Sequence, residues 1–178
     1  MSVSSLSRPQ ILYPIRQARL HQGYVSWLSA HDWDIALTLN FKPDIRKETA
    51  RKAARHYWQK LDCWLYGSNA VQRNNTRLPR VCFLEGEDQG RNWHIHSAIK
   101  APAPDAIKPK IAGEDFKLGM CAALTKRWEE TFEAGRFSKA ELIYDCAGWV
   151  RYISKDVNID DCEFCLTTSH IADRRDTM

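Results

Sequence analysis

Two apolar runs, Arg80–Glu87 and Asn92–Lys100, flank the polar tetrapeptide Asp88-Gln89-Gly90-Arg91, and this pairing constrains the fold more than any other stretch. Strand-like runs on either side of a short turn containing glycine read as an antiparallel β-hairpin. A hairpin in the middle of the chain points to an antiparallel sheet, and such a sheet buries one face or both under helices.

The flanking segments supply those helices and the remaining strands. Ile35, Ala36, Leu37, Thr38, Leu39 and Phe41 make a buried strand over Asp34–Phe41 that Pro43 stops. Asp44 is placed as an N-cap, Glu48 lies in the first turn, and Ile45, Ala50, Ala53, Ala54, Tyr57, Leu61, Trp64 and Leu65 recur at helical spacing until Gly67. The other side of that helix holds Arg46, Lys47, Arg51, Lys52 and Arg55, a set that can track a phosphate backbone but more often forms a solvated surface.

Residues 68–79 read as a polar loop, and three prolines between 101 and 110 mark another. After it Phe116, Met120, Leu124, Trp128 and Phe132 repeat every four residues on one helix face. Lys139–Tyr144 is expected as a short strand, Asp145 caps a helix running through Asp156, and Cys162–Thr168 forms a last strand. The order is β, α, β, β, α, β, α, β. The expected fold class is therefore α+β, an antiparallel sheet covered by helices. Residues 1–30, with Pro9, Pro14 and no clear period, are expected to be an arm that wraps a domain spanning 31–170, followed by a tail at 171–178.

The chain of 178 residues is 44% hydrophobic with seven Trp, enough for a normal core and contrary to disorder. No apolar run reaches the roughly 20 residues of a membrane span, and the N-terminus lacks a signal-like segment. The six cysteines follow no disulfide framework, which favours thiols and a cytoplasmic location. Cys162 and Cys165 form a lone CxxC near His170, short of the four ligands of a structural zinc site. A formal net charge of +4 is mild, so contact with a polyanion must come from local clusters.

Chemistry concentrates at His94-Ile95-His96. Alternate strand residues share a face, so both imidazoles can converge on one metal ion while Ile95 points into the core. A third ligand is offered by the preceding strand, where Glu85 and Glu87 share a face; Glu85 is preferred, with Glu87 left open. Two imidazoles and a carboxylate leave positions where Mg²⁺ or Mn²⁺ can polarise a phosphate. Tyr152 and Lys155, three apart on the last helix, place a phenol nucleophile beside a positive charge that favours phenolate or stabilises developing negative charge.

These residues resemble the HUH endonucleases, named for the histidine-hydrophobe-histidine triplet, and within them the single-tyrosine initiators of rolling-circle replication. Ala36-Leu37-Thr38-Leu39-Asn40 is similar to the family's first motif, His94-Ile95-His96 with Glu85 to its metal motif, and Gly148-Trp149-Val150-Arg151-Tyr152-Ile153-Ser154-Lys155 to its nucleophile helix. The resemblance spans roughly residues 33–170 and implies a five-stranded antiparallel sheet flanked by helices, with a metal site on the central strands. It also implies sequence-specific cleavage of single-stranded DNA at a replication origin or hairpin, a covalent 5′-phosphotyrosine and a free 3′ hydroxyl. No G-x-x-x-x-G-K-[ST] phosphate loop is present, so unwinding falls to a separate helicase. Mobilisation relaxases, transposases and a catalytically silent origin-binding domain remain alternatives, as does a metal nuclease that uses water.

Overall fold

The computed structural model describes residues 8–86, 92–111, 115–155, 157, 162–166 and 168–171. Five helices and an antiparallel sheet follow one another as α1 (Arg8–Leu28), β1 (Ile35–Asn40), α2 (Lys47–Tyr66), α3 (Ser68–Arg73), β2 (Arg80–Glu85), β3 (His94–Ile99), α4 (Phe116–Glu129), β4 (Lys139–Leu142) and α5 (Cys146–Ile153). The class is mixed α+β, as the patterning implies. The body of the sheet runs β4-β1-β3-β2, every neighbouring pair antiparallel, and the three-residue segment Cys162–Phe164 (β5) pairs along the outer side of β2. The turn residues 88–91 and Glu87 lie outside the described residues, as do Asp156 and nearly all of the expected tail.

Period-two alternation divides the side chains between the two faces. Ile35, Leu37, Leu39, Cys82, Leu84, Ile95 and Ile99 point to one side, where α2 contributes Ala50, Tyr57, Trp58 and Leu61 and α4 contributes Met120, Leu124 and Trp128. On the other side Val81, Phe83 and Ala98 meet Leu28 from α1 and Val150 and Ile153 from α5.

Several boundaries differ from expectation. The arm over residues 1–30 is, from Arg8 onward, a helix: Pro9 sits in its first turn, where a missing N–H is harmless, and Tyr24, Val25 and Leu28 pack it against the sheet. Asp44 does not cap α2; it adopts φ 60, a left-handed turn that aspartate tolerates, and the helix starts at Lys47. The expected loop 68–79 opens with α3, which buries only Val71 and therefore carries too little apolar pattern to announce itself. Helix α4 ends at Glu129, leaving Phe132 82% exposed beyond the apolar stripe it seemed to continue. The strand expected over 139–144 stops at Leu142 and the helix expected through Asp156 stops at Ile153.

Two polar anchors hold the sheet. Arg80, at the start of β2, is buried with Asp62 of α2 in a two-pronged pair at 2.9 and 3.0 Å, and its Nε donates to the Thr168 carbonyl at 2.7 Å. Its guanidinium also lies 4.3 Å from the Trp58 ring centroid, so this charge has a ring on one face as well as acceptors along its edge. At the same end of the sheet, on the other side of β3, Asp34 accepts from the Ala101 amide at 2.9 Å and pairs with Lys117 at 2.6 Å and Lys100 at 3.2 Å. Burial alone would raise its pKa, but these donors outweigh burial and hold the carboxyl below its ordinary value.

The cysteines at 63, 82, 121, 146 and 165 are thiols, with no disulfide among the described residues, in keeping with their irregular spacing; the Cys162 side chain lies outside the description. Among the described residues no helix is long and apolar enough to cross a membrane.

Candidate metal centre

Strand register assembles the site. Across β1, β3 and β2 one row reads Asn40, His94, Glu85 and the next reads Thr38, His96, Phe83, all on the face that α5 partly covers. One ligand atom each from Glu85, His94 and His96 lies within 4.8 Å of the others. Glu85 and His96 are buried, and His94 is half-buried at the mouth. The three residues expected to hold a metal are thus brought together; Glu87, the alternative third ligand, lies outside the described residues. Glu85 is fixed by its position as the last residue of β2 and by Gly86, where any Cβ would strike the backbone of Trp93. Trp93 itself faces away, into the core with Ile95.

Both imidazoles turn Nε2 toward the carboxylate: His94 Nε2 is 3.3 Å and His96 Nε2 3.6 Å from Glu85 Oε2. The Asn92 carbonyl, 3.1 Å from His94 Nδ1, can only accept, so that nitrogen carries the hydrogen and a neutral His94 aims a lone pair at Glu85. Two acceptors facing each other at this distance require a shared cation, either a proton on His94 or a metal ion. Thr38 Oγ1, 3.0 Å from His96 Nδ1, accepts that nitrogen's hydrogen when Nε2 is needed as a ligand.

The same group passes a test of fit for a divalent ion. His96 Nε2 is buried without a hydrogen-bond partner among the described residues, a vacancy in bonding that an ion among the three residues fills. Donors held at about 2.2 Å from one ion, at angles of roughly 90 to 110°, lie some 3.1–3.6 Å apart, in line with the separations around Glu85. Burial drives the His96 pKa down to about 4, and the nearby His94 and Lys155 charges add to burial against the pull of Glu85. The ring is therefore neutral and available as a ligand at neutral pH. Burial alone would raise the Glu85 pKa, yet the His94 hydrogen bond and the fields of His96, Lys155 and His94 leave it lowered, so the carboxylate is charged.

Tyr152 stands beside this group, its ring centroid 5.1 Å from that of His96, with 44% of the residue exposed. Trp149, one turn earlier, stacks on the phenol at 5.4 Å and meets His96 edge-on at 5.8 Å, while its Nε1 donates to the Ser97 carbonyl. Lys155 Nζ is 3.9 Å from the centre of the Tyr152 ring. The expected helical spacing of Tyr152 and Lys155 is not what achieves this. Helix α5 ends at Ile153 with Ser154 as its C-cap, and Lys155 reaches back over the ring from the following turn. Thr38, Asn92 and Trp149 were not singled out as part of the site from sequence; only the register and the helix docking reveal them. No family model, curated protein or solved structure matches the chain.

Proposed function

We propose that this protein is a metal-dependent nicking and joining endonuclease for single-stranded DNA, of the histidine-hydrophobe-histidine kind, that starts rolling-circle replication of a plasmid or phage-like replicon. The observation that carries the reading is the meeting of an accessible phenol with a Glu85/His94/His96 ligand set on one face of the sheet, 5.1 Å between the Tyr152 and His96 rings. When bound at Glu85, His94 and His96, Mg²⁺ or Mn²⁺ supplies Lewis acidity toward a non-bridging phosphate oxygen.

The chain's own residues do the rest. Tyr152 attacks phosphorus through its phenol oxygen, an O–P bond forms, and the bond from phosphorus to the 3′ oxygen breaks. The proton lost by the phenol is balanced by the one the departing 3′ hydroxyl gains. Trp149 fixes the ring plane, and the Lys155 ammonium over the ring favours the developing phenolate. Because the phosphotyrosine ester retains much of the energy of the broken bond, a later 3′ hydroxyl can reverse the step and reseal a strand. A separate helicase would supply the single strand.

The test is incubation with a randomised pool of single-stranded oligonucleotides and Mn²⁺, followed by denaturing electrophoresis and mass analysis of the peptide containing Tyr152. A nucleotide adduct on Tyr152, absent in Tyr152→Phe, is the expected result. Metal-dependent cleavage that persists in Tyr152→Phe would overturn tyrosine attack in favour of water. Binding without cleavage by the unaltered protein would leave a silent DNA-binding domain.

A further inference from the structure

A groove of about 580 Å³ opens beside the metal centre, and the residues that matter in it are Asn40, Lys42, Asn92, Arg136 and Phe137. Its inner end belongs to the site already described: Asn40 is the cross-strand partner of His94, and Asn92 holds the His94 ring. Its outer end is built differently. Phe137 is 89% exposed and held at φ 65, a backbone conformation that a bulky side chain rarely adopts. An aromatic ring in water on a strained backbone serves neither packing nor folding.

The strain is maintained by a clamp. The Asn40 side chain donates to the Phe137 carbonyl at 2.9 Å, the Asn40 amide donates to Ser138 Oγ at 3.0 Å, and the Gly135 amide donates to the Asn40 carbonyl at 2.7 Å. A Cβ at Gly135 would collide with the Phe41 carbonyl, so the loop lies flush on the end of β1. Lys42 and Arg136 both line the groove, and among the described residues that line it none is a carboxylate, which places two cations beside a displayed aromatic ring.

We infer that this groove is a subsite for single-stranded nucleic acid, in which Phe137 stacks on an unpaired base and Lys42 and Arg136 pair with the phosphates flanking it. The choice of occupant rests on the single-strand reading of the metal centre, while the groove's charge and its ring are independent of it. Stacking on a fixed aromatic with cations alongside is the physical basis of binding that tolerates many sequences. The clamp on Asn40 gives the subsite its purpose: the strand that carries His94's neighbour also sets the position of the stacking ring.

The test uses the full chain, a fluorescein-labelled oligothymidylate and EDTA, with anisotropy as the readout. Phe137→Ala is expected to weaken binding about tenfold or more and Phe137→Trp to restore it. Arg136→Ala is expected to flatten the dependence of log affinity on log salt by roughly 0.7. Thermal melting separates this role from a structural one, since Phe137→Ala and Phe137→Gly should melt at or above the unaltered protein. Failure of the unaltered protein to bind oligothymidylate, or a change under twofold in Phe137→Ala, would overturn the subsite. Phe137-dependent binding with no Tyr152 adduct would sink the nicking reading and leave the groove. An adduct formed alongside unchanged binding in Phe137→Ala would do the reverse.

Discussion

The two faces of the sheet are built to different ends. On the face under α2 and α4 the inward residues of β1 are apolar from Ile35 to Leu39, and the polar members elsewhere, Ser97 between Ile99 and Ile95 on β3 and Arg80 at the start of β2, are buried with partners of their own. On the face under α1 and α5 the same strands change character part-way. Val81 and Phe83 give way to Glu85, and Ala98 gives way to His96 and His94. Helix α5 spans only Cys146–Ile153; it sets Val150 and Ile153 on the apolar half and brings Trp149 and Tyr152 against His96 in the polar half. The first face supplies stability, and that surplus allows the second to bury a carboxylate against two imidazole lone pairs.

Removing the proposed nucleophile should show the largest separation between the faces. Tyr152→Phe is expected to lower adduct formation on the order of a thousandfold or more with no loss in melting temperature, read by gel and calorimetry. Next come Leu37 and Thr38, neighbours on β1 that point to opposite faces. Leu37→Ala should destabilise the fold by about 2–5 kcal/mol in urea titrations, because a fully buried side chain leaves a cavity. Thr38→Val should leave the fold near its original stability and weaken Mn²⁺ binding by about 10–100-fold in titration calorimetry, since His96 loses the partner that orients it.

Glu85→Gln tests the opposed acceptors. The Glu85 pKa is lowered in the folded state, so removing its charge should lower the melting temperature of the metal-free protein at neutral pH, and the rise on adding Mn²⁺ should disappear. The smallest effect belongs to the far corner of the sheet. The Asp34 pKa is lowered in the folded state, so its contribution is present above the ordinary carboxylate value of 3.8 and is lost as pH falls through the lowered one. With both lysine partners half-exposed, Asp34→Asn should remove at most about 1 kcal/mol above that range and nothing below it, as read from melting temperature against pH.

What the sequence made legible follows the same division. The closed face could be read directly, because its strands and the stripe from Ala50 to Leu65 obey simple periods. The candidate metal ligands could also be read, because period two places His94 and His96 on one face and the hairpin puts Glu85 on the neighbouring strand. Pairing between distant strands could not: that Thr38 stands against His96 depends on a register no local pattern encodes. Helix α1 was hidden by its prolines, and the approach of Lys155 to Tyr152 by a helix that ends at Ile153, three residues short of the expected Asp156.

The buried Arg80–Asp62 pair bears on the site although it lies at the other end of β2. Sliding β2 by a single residue would swing Glu85 to the dry side and leave both histidines without their acid. Such a slip would also drag Arg80 off Asp62 and Thr168, stranding a charge in the interior, which typically costs about 3–5 kcal/mol. The guanidinium therefore acts as a latch on strand alignment, proofreading from a distance the geometry that brings Glu85 to the two histidines.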